Sequence, residues 1–121
     1  LHPQTYDLLR KIAFYIEKFD CLVRVEGHTD DLPIQSTRFP TNWDLSSSRA
    51  IQVLRFFEEQ CNIPGSRLEA IGYGSSRPLV PNISRENRNI NRRVEIYLDW
   101  TYKTGEDLIQ ERAQANVQTR N

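Results

Sequence analysis

Apolar residues recur every three or four positions in two segments of the chain, and this spacing predicts two amphipathic helices. The first covers residues 5–19 and has its apolar positions at Leu8, Leu9, Ile12, Ala13, Tyr15 and Ile16. The second begins at Asn42, and its apolar face is formed by Leu45, Ala50, Val53, Leu54, Phe57 and Cys61. Thr41 and Asp44 have the spacing of a capping box, so we expect them to mark the start of this second helix.

Three shorter segments alternate between apolar and polar residues, as strands with one buried face do. They are "CLVRVEG", "SRLEAIGYG" and "RRVEIYLDW", and the polar segment "SRENRNINRR" between the last two predicts a short helix. In the first strand Val23 and Val25 share the apolar face, whereas Glu26 and His28 lie on the polar face. The residues of the last strand predicted to face the core are Val94, Ile96, Leu98 and Trp100.

Strands with a single apolar face predict a small mixed β-sheet covered by helices on one side only. This arrangement is a two-layer sandwich of the α/β (α+β) class. We expect residues 1–100 to form one domain around one core. The remaining residues, 101–121, are predicted to be a polar tail or an extra helix outside that domain.

Composition excludes several classes of function. The 16 Lys and Arg residues balance the 16 Asp and Glu residues, so no net field draws the chain to nucleic acid or to an anionic membrane. No apolar run approaches the roughly 20 residues that a membrane-spanning helix needs. Because the chain begins without Met and contains none, we expect it to be a fragment of a longer protein. Cys21 and Cys61 are too few for a disulfide framework, and whether they are bridged stays open.

The stretch "VEGHTDDLPI" combines a histidine with two adjacent carboxylates at the end of a predicted strand. Such a group could bind a metal, act as an acid/base pair or line a polar binding pocket. A cell-wall hydrolase would need a second catalytic group, and the chain contains no HxxE, HxH, Ser-His-Asp or Cys-His signature. A binding pocket with no catalytic residue, no metal and no cofactor is thus favoured over a hydrolase, and the residues alone leave the choice between such a pocket and a metal site open.

Arg49 is the most informative position of the second helix. It falls within the apolar arc, one turn after Leu45 and one turn before Val53. Burying an unpaired guanidinium is costly, so we expect a carboxylate partner, and Asp30 at the end of the first strand is the nearest candidate. The two residues could form a structural ion pair, or they could bind the ammonium and carboxylate of a zwitterionic ligand.

Four successive motifs resemble those of the OmpA-like peptidoglycan-binding domain. They are "VEGHTDDLPI", "FPTNWDLSSSRA", "RLEAIGYGSSRPLVPN" and "NRRVEIYL", and together they extend over residues 23–98. The loop between the first two motifs is longer than in typical members and carries "LPI" and "RFPTNWDLS". In this respect the chain is similar to the C-terminal domain of MotB, the stator protein of the flagellar motor.

The resemblance implies non-catalytic binding of the diaminopimelate-containing stem peptide of peptidoglycan. Asp30 and Arg49 match the family residues that bind its zwitterionic centre. Asn42 matches a polar contact at the start of the second motif, and Arg92 matches the first arginine of "NRR". Thr29 offers a hydroxyl beside Asp30, and Leu45 is expected to shape the wall of the pocket.

The resemblance also implies a cellular setting. It predicts a periplasmic homodimeric domain of an inner-membrane protein, joined to a channel or stator subunit through a missing N-terminal part, with no nucleic-acid partner. Two alternatives stay open. The chain could belong to a general OmpA/Pal-type envelope anchor unrelated to flagella, or to a scaffold domain that binds no ligand.

Overall fold

The computed structural model describes residues 2–34 and 36–100 of the 121-residue chain. The predicted helices and strands are all present in the described part. Predictions for residues 101–121 lie outside the described residues. The elements are helix α1 (Pro3–Lys18), strand β1 (Leu22–His28), helix α2 (Asn42–Glu59), strand β2 (Leu68–Gly72), helix α3 (Arg85–Asn91) and strand β3 (Arg93–Asp99).

The three strands form a mixed sheet in the order β2-β1-β3. Strand β1 is central; it runs parallel to β2, with Val25 opposite Ala70, and antiparallel to β3, with Val25 opposite Ile96. The parallel pair is joined by a crossover connection that contains α2, as parallel strands require. Since β3 runs antiparallel to β1, the start of β3 lies beside the end of β1, where His28 pairs with Arg93.

The apolar core lies between one face of the sheet and the helices, which confirms the predicted two-layer fold. Val23 and Val25 of β1 are fully buried and form one cluster with side chains of both long helices. Burying a side chain the size of Phe57 contributes about 1.5–3 kcal/mol. The buried apolar residues of the two helices are Leu9, Ala13 and Ile16 in α1, and Ala50, Val53, Phe56 and Phe57 in α2.

Two predictions for core residues were wrong. Leu8 and Tyr15 of α1 are exposed, because only part of the apolar face of this helix contacts the core. Trp100 follows the end of β3 and is 56% exposed; its ring packs edge-on against Phe19 instead of entering the core.

Thr41 and Asp44 form the predicted capping box at the start of α2. The hydroxyl of Thr41 accepts a hydrogen bond from the backbone N–H of Asp44, and the Asp44 carboxylate accepts one from the backbone N–H of Thr41. The first turn of α2 is therefore fixed by its own sequence. Both cysteines are free thiols, and none of the helices described is long and apolar enough to cross a membrane.

Helix α2 lies against the backbone of β1 at Gly27. A Cβ atom at Gly27 would stand 2.0 Å from the carbonyl oxygen of Ser46, so only glycine fits at this position. A Cβ atom at Gly72 would likewise stand 2.5 Å from the backbone nitrogen of Ser47. This close approach places the first two turns of α2 directly beside the end of β1.

Gly27→Ala should lower the free energy of unfolding by about 3 kcal/mol, because the added methyl group meets backbone that cannot move aside. Urea denaturation measures the change. Gly65→Ala is the matched control, since a Cβ atom there meets only the flexible end of the Glu58 side chain. Equal midpoints for the two variants would contradict the proposed close packing.

Candidate functional site

Asp30 lies two residues after the end of β1 and is 7% exposed. One oxygen of its carboxylate, Oδ1, accepts a hydrogen bond from the backbone N–H of Leu32 at 3.0 Å. The other, Oδ2, accepts from Nη1 of Arg92 in an ion pair. The carboxylate is therefore fixed in direction from two sides.

Arg49 is half-buried on α2, and its side chain forms neither a hydrogen bond nor an ion pair with any residue in 2–34 or 36–100. The predicted direct Arg49–Asp30 pair is thus wrong, because the ion-pair partner of Asp30 is Arg92. The reason is topological. Arg92 caps the end of α3 immediately before β3, and the antiparallel pairing of β3 with β1 places it next to Asp30.

Thr29 and Asn42 fix the backbone around Asp30. Thr29 donates its hydroxyl to the carbonyl of Asp30 at 2.8 Å, and its N–H donates to the carbonyl of Gly74 at 2.9 Å. The amide of Asn42 donates to the carbonyls of Leu32 at 3.1 Å and Asp30 at 3.4 Å. Contacts of these side chains with a ligand stay a prediction.

The six predicted site residues come from three places in the chain. The structure joins Thr29, Asp30, Asn42 and Arg92 through the contacts above, and it does not join Arg49 or Leu45 to them by a hydrogen bond or ion pair. Leu45 is half-buried one turn before Arg49 on α2. The arrangement offers a fixed carboxylate and a separate guanidinium with unused donors.

Two buried polar residues outside the predicted set of site residues support this region. Ser46 accepts a hydrogen bond from the N–H of Gly74 at 2.8 Å and thereby ties the loop after β2 to α2. Asn91, fully buried, accepts from the N–H groups of Leu79 and Val80 and donates to the Val80 carbonyl and to Asn82 Oδ1. The signal for Asn91 was present, because it is the first residue of the "NRR" motif.

The polar face of the sheet is more buried than the alternation of residues suggested. Glu26 is 5% exposed and His28 is 1% exposed. The imidazole stacks on the ring of Tyr73, and its Nε2 lies 3.1 Å from Glu95 Oε2 and 3.5 Å from Glu26 Oε1. These approaches do not have the direction of hydrogen bonds, and neither ring nitrogen has a hydrogen-bond partner in the described part of the chain.

Burial and charge set the protonation of this cluster. Burial, assisted by the positive charge of Arg93, lowers the pKa of His28 and favours neutral imidazole. Burial acts to raise the pKa of Glu95, but its hydrogen bond to Arg93 and the Arg93 charge outweigh that effect and lower it. Glu26 pairs with Nε of Arg24 at 2.7 Å through its Oε2 atom.

The chain is similar in sequence to several known proteins. The sequence profile of the OmpA family matches residues 1–92. Motility protein B of Helicobacter pylori is 38% identical over 91 residues, which are 74% of this chain and 35% of that protein. The peptidoglycan-binding protein ArfA of Mycobacterium bovis is 30% identical over 100 residues, 82% of this chain and 29% of ArfA. The chain thus spans about a third of the length of these curated relatives.

Two solved structures share the fold. The C-terminal domain of Helicobacter pylori MotB superposes with a TM-score of 0.76 at 30% identity, covering 98% of this chain and 88% of that one. The cell wall anchor of the T6SS of Pseudomonas aeruginosa superposes with a TM-score of 0.74 at 36% identity, covering 83% of this chain and 68% of that one.

Asn91→Ala should lower the free energy of unfolding by about 2–3 kcal/mol, because the loop groups that bond to the amide lose their partners. Chemical denaturation measures the loss. Asn87→Ala on the same helix is the control, since the Asn87 side chain donates a single bond, to the Pro81 carbonyl. If both variants lose the same stability, the anchoring role of Asn91 is refuted.

Proposed function

Because the chain belongs to the OmpA family, we propose that it is a non-catalytic peptidoglycan-binding domain that anchors an envelope complex to the cell wall. The single observation that carries the proposal is the guanidinium of Arg49, which no described residue binds, on the same helix whose Asn42 contacts the backbone of Asp30. A closed Arg49–Asp30 ion pair would have favoured a structural role, and Asp30 pairs with Arg92 instead.

Asp30 retains capacity to bind an ammonium group. A carboxylate offers about four lone-pair positions, and the described contacts use two of them, one on each oxygen. A ligand ammonium would therefore share Asp30 with Arg92 and need not displace it. Since Arg92 and Leu32 already fix the carboxylate, little orientational freedom is lost on binding.

Arg49 supplies the complementary charge. A guanidinium presents its donors in a planar fork that matches a carboxylate in bidentate geometry, and no described residue uses these donors. Asp30 and Arg49 together suit a ligand with an ammonium and a carboxylate on one carbon atom. The free end of diaminopimelate in a stem peptide has this chemistry.

Binding alone accounts for the site. An anchor on a covalent polymer needs reversible recognition, and fixed charges provide that without a nucleophile. The side chains of Asn42 and Thr29 donate hydrogen bonds to backbone carbonyls around Asp30, and these bonds hold the loop in one conformation. We propose that they contribute to binding by holding this loop, and that Leu45 contributes an apolar wall.

The similarity to MotB supports a place in the flagellar stator, as a homodimeric periplasmic domain of an inner-membrane protein. A second setting is favoured by a specific observation. Identity to the T6SS cell wall anchor is 36%, which is comparable to the 38% identity to Motility protein B. An envelope anchor outside the flagellum therefore stands as the alternative.

Arg49→Ala and Asp30→Asn should each weaken binding to purified sacculi roughly 10–100-fold, since each removes a charge-assisted contact worth about 1.5–3 kcal/mol. Co-sedimentation at a series of protein concentrations measures this. Arg49→Ala should also leave the melting temperature unchanged, because Arg49 has no hydrogen-bond or ion-pair partner among residues 2–34 and 36–100. Arg55→Ala is the control on the same helix, since Arg55 forms an exposed ion pair with Glu59.

Equal binding by the wild type, both variants and the control would refute the receptor, as would absence of binding by the wild type. Release of muropeptides from the sacculi during incubation would refute the non-catalytic part of the proposal.

Stem peptides that carry lysine in place of diaminopimelate should bind more weakly to the wild type, because lysine lacks the second carboxylate that Arg49 is proposed to bind. Calorimetric titration with the two peptides measures the difference. Arg49→Ala should abolish most of that difference and reduce binding of the diaminopimelate peptide to the level of the lysine peptide. If Arg49→Ala still binds the diaminopimelate peptide more tightly than the lysine peptide by the same factor as the wild type, Arg49 does not bind the second carboxylate.

A further inference from the structure

A cluster of three side chains lies on the sheet face opposite the helices. Glu26 of β1 and Glu95 of β3 stand directly opposite each other in the antiparallel register, and His28 follows two residues along β1 on the same face. One ligand atom from each of the three side chains lies within 4.8 Å of the others. We propose that Glu26, His28 and Glu95 form a binding site for a divalent transition metal ion, with Zn²⁺ as the preferred metal.

The unpartnered imidazole of His28 is the observation that points to a ligand. Its side chain is 2% exposed, yet neither ring nitrogen has a hydrogen-bond partner in the described residues. A buried polar atom without a partner costs about 1–3 kcal/mol, so native proteins rarely leave one. Nε2 lies within 3.5 Å of an oxygen of each carboxylate, and a metal ion bound among these three atoms would satisfy it.

The distances fit such an ion. Zinc binds imidazole nitrogen and carboxylate oxygen at roughly 2.0–2.2 Å in a tetrahedron, which puts neighbouring ligand atoms roughly 3.3–3.6 Å apart. Nε2 of His28 lies 3.1 Å from Glu95 Oε2 and 3.5 Å from Glu26 Oε1. Small side-chain adjustments would therefore complete a site of three protein ligands, leaving a fourth position for water.

The surrounding charges select the kind of metal. Arg24 contacts Oε2 of Glu26, which leaves Oε1 facing His28, and Arg93 approaches Oε1 of Glu95 at 3.4 Å. These arginines offset the charge of the two carboxylates, so purely electrostatic binding of Ca²⁺ or Mg²⁺ is weak here. An imidazole ligand raises the affinity for Zn²⁺ more than the affinity for harder cations such as Ca²⁺ and Mg²⁺.

A path for the ion exists on the Glu95 side. The Glu95 side chain is 27% exposed, whereas those of Glu26 and His28 are 6% and 2% exposed. The ion would therefore enter past Glu95 and contact the buried ligands behind it. This site is separate from Asp30 and Arg49, so the proposal does not depend on the proposed function.

The test uses the two-histidine composition of the chain. His2→Ser keeps a capping residue at the start of α1 and leaves His28 as the single imidazole. In this variant, held under reducing conditions, one equivalent of Zn²⁺ should shift the ring-nitrogen resonances of His28 in long-range ¹H–¹⁵N spectra. Zn²⁺ should also raise the melting temperature, because it binds only the folded state.

Glu95→Gln in the same background should weaken Zn²⁺ binding at least tenfold, and Glu59→Gln, at an exposed carboxylate of α2, should leave it unchanged as the matched control. Unshifted His28 resonances at a tenfold excess of Zn²⁺ would overturn the proposal even if every other variant failed to fold. Equal binding by Glu95→Gln would place the ion elsewhere and would also overturn it. Stronger stabilisation by Mg²⁺ than by Zn²⁺ would overturn the choice of metal.

Discussion

The close contact between α2 and the backbone of β1 at Gly27 is the constraint on which the rest of the structure depends. Because no Cβ atom separates Gly27 from the Ser46 carbonyl, the helix starts directly beside the end of the central strand. Ser46 is buried at the same contact and bonds to Gly74, so the loop after β2 is held there as well. Asn42 at the start of α2 donates to the Asp30 carbonyl, so the same contact also sets how the beginning of the helix meets the loop that carries Asp30.

A second chain of contacts reaches Asp30 from the opposite direction. Asn91 ties the loop before α3 to the end of that helix, and the next residue, Arg92, carries the guanidinium that binds Asp30. The position of the Asp30 carboxylate thus depends on the packing of α2 on one side and on the buried amide of Asn91 on the other. A receptor assembled this way is rigid before its ligand arrives, which reduces the entropy lost on binding.

Residues with local causes could be predicted from the sequence. The capping box at Thr41 and Asp44 depends on neighbours in the chain, as does the face of β3 that places Val94, Ile96 and Leu98 against the core, and the structure confirms both. The partner of Asp30 could not be predicted by distance along the chain. Arg92 is 62 residues away, and the antiparallel pairing of β3 with β1 brings it into contact with Asp30.

The burial of the polar face of β1 could not be predicted from the sequence either. Alternation assigned Glu26 and His28 to the face away from the core correctly, but it could not show that this face is covered. Arg24 lies over the ring of Tyr97, and Tyr73 stacks on His28, so long side chains from three strand segments bury the cluster. A strand pattern reports which residues share a face, whereas their burial depends on the side chains that neighbouring strands bring beside them.

The charges available at the proposed site limit the affinity of one domain for one stem peptide. In the proposed binding mode Asp30 is shared with Arg92 and Arg49 alone would bind the opposite charge, so a single domain would gain few contacts from one stem peptide. Two such domains held together would multiply weak binding through effective concentration, since the wall presents the same ligand many times. Each site could then release and rebind while the pair stays attached. Weak, rigid and repeated recognition is what an anchor on a polymer under continual renewal requires.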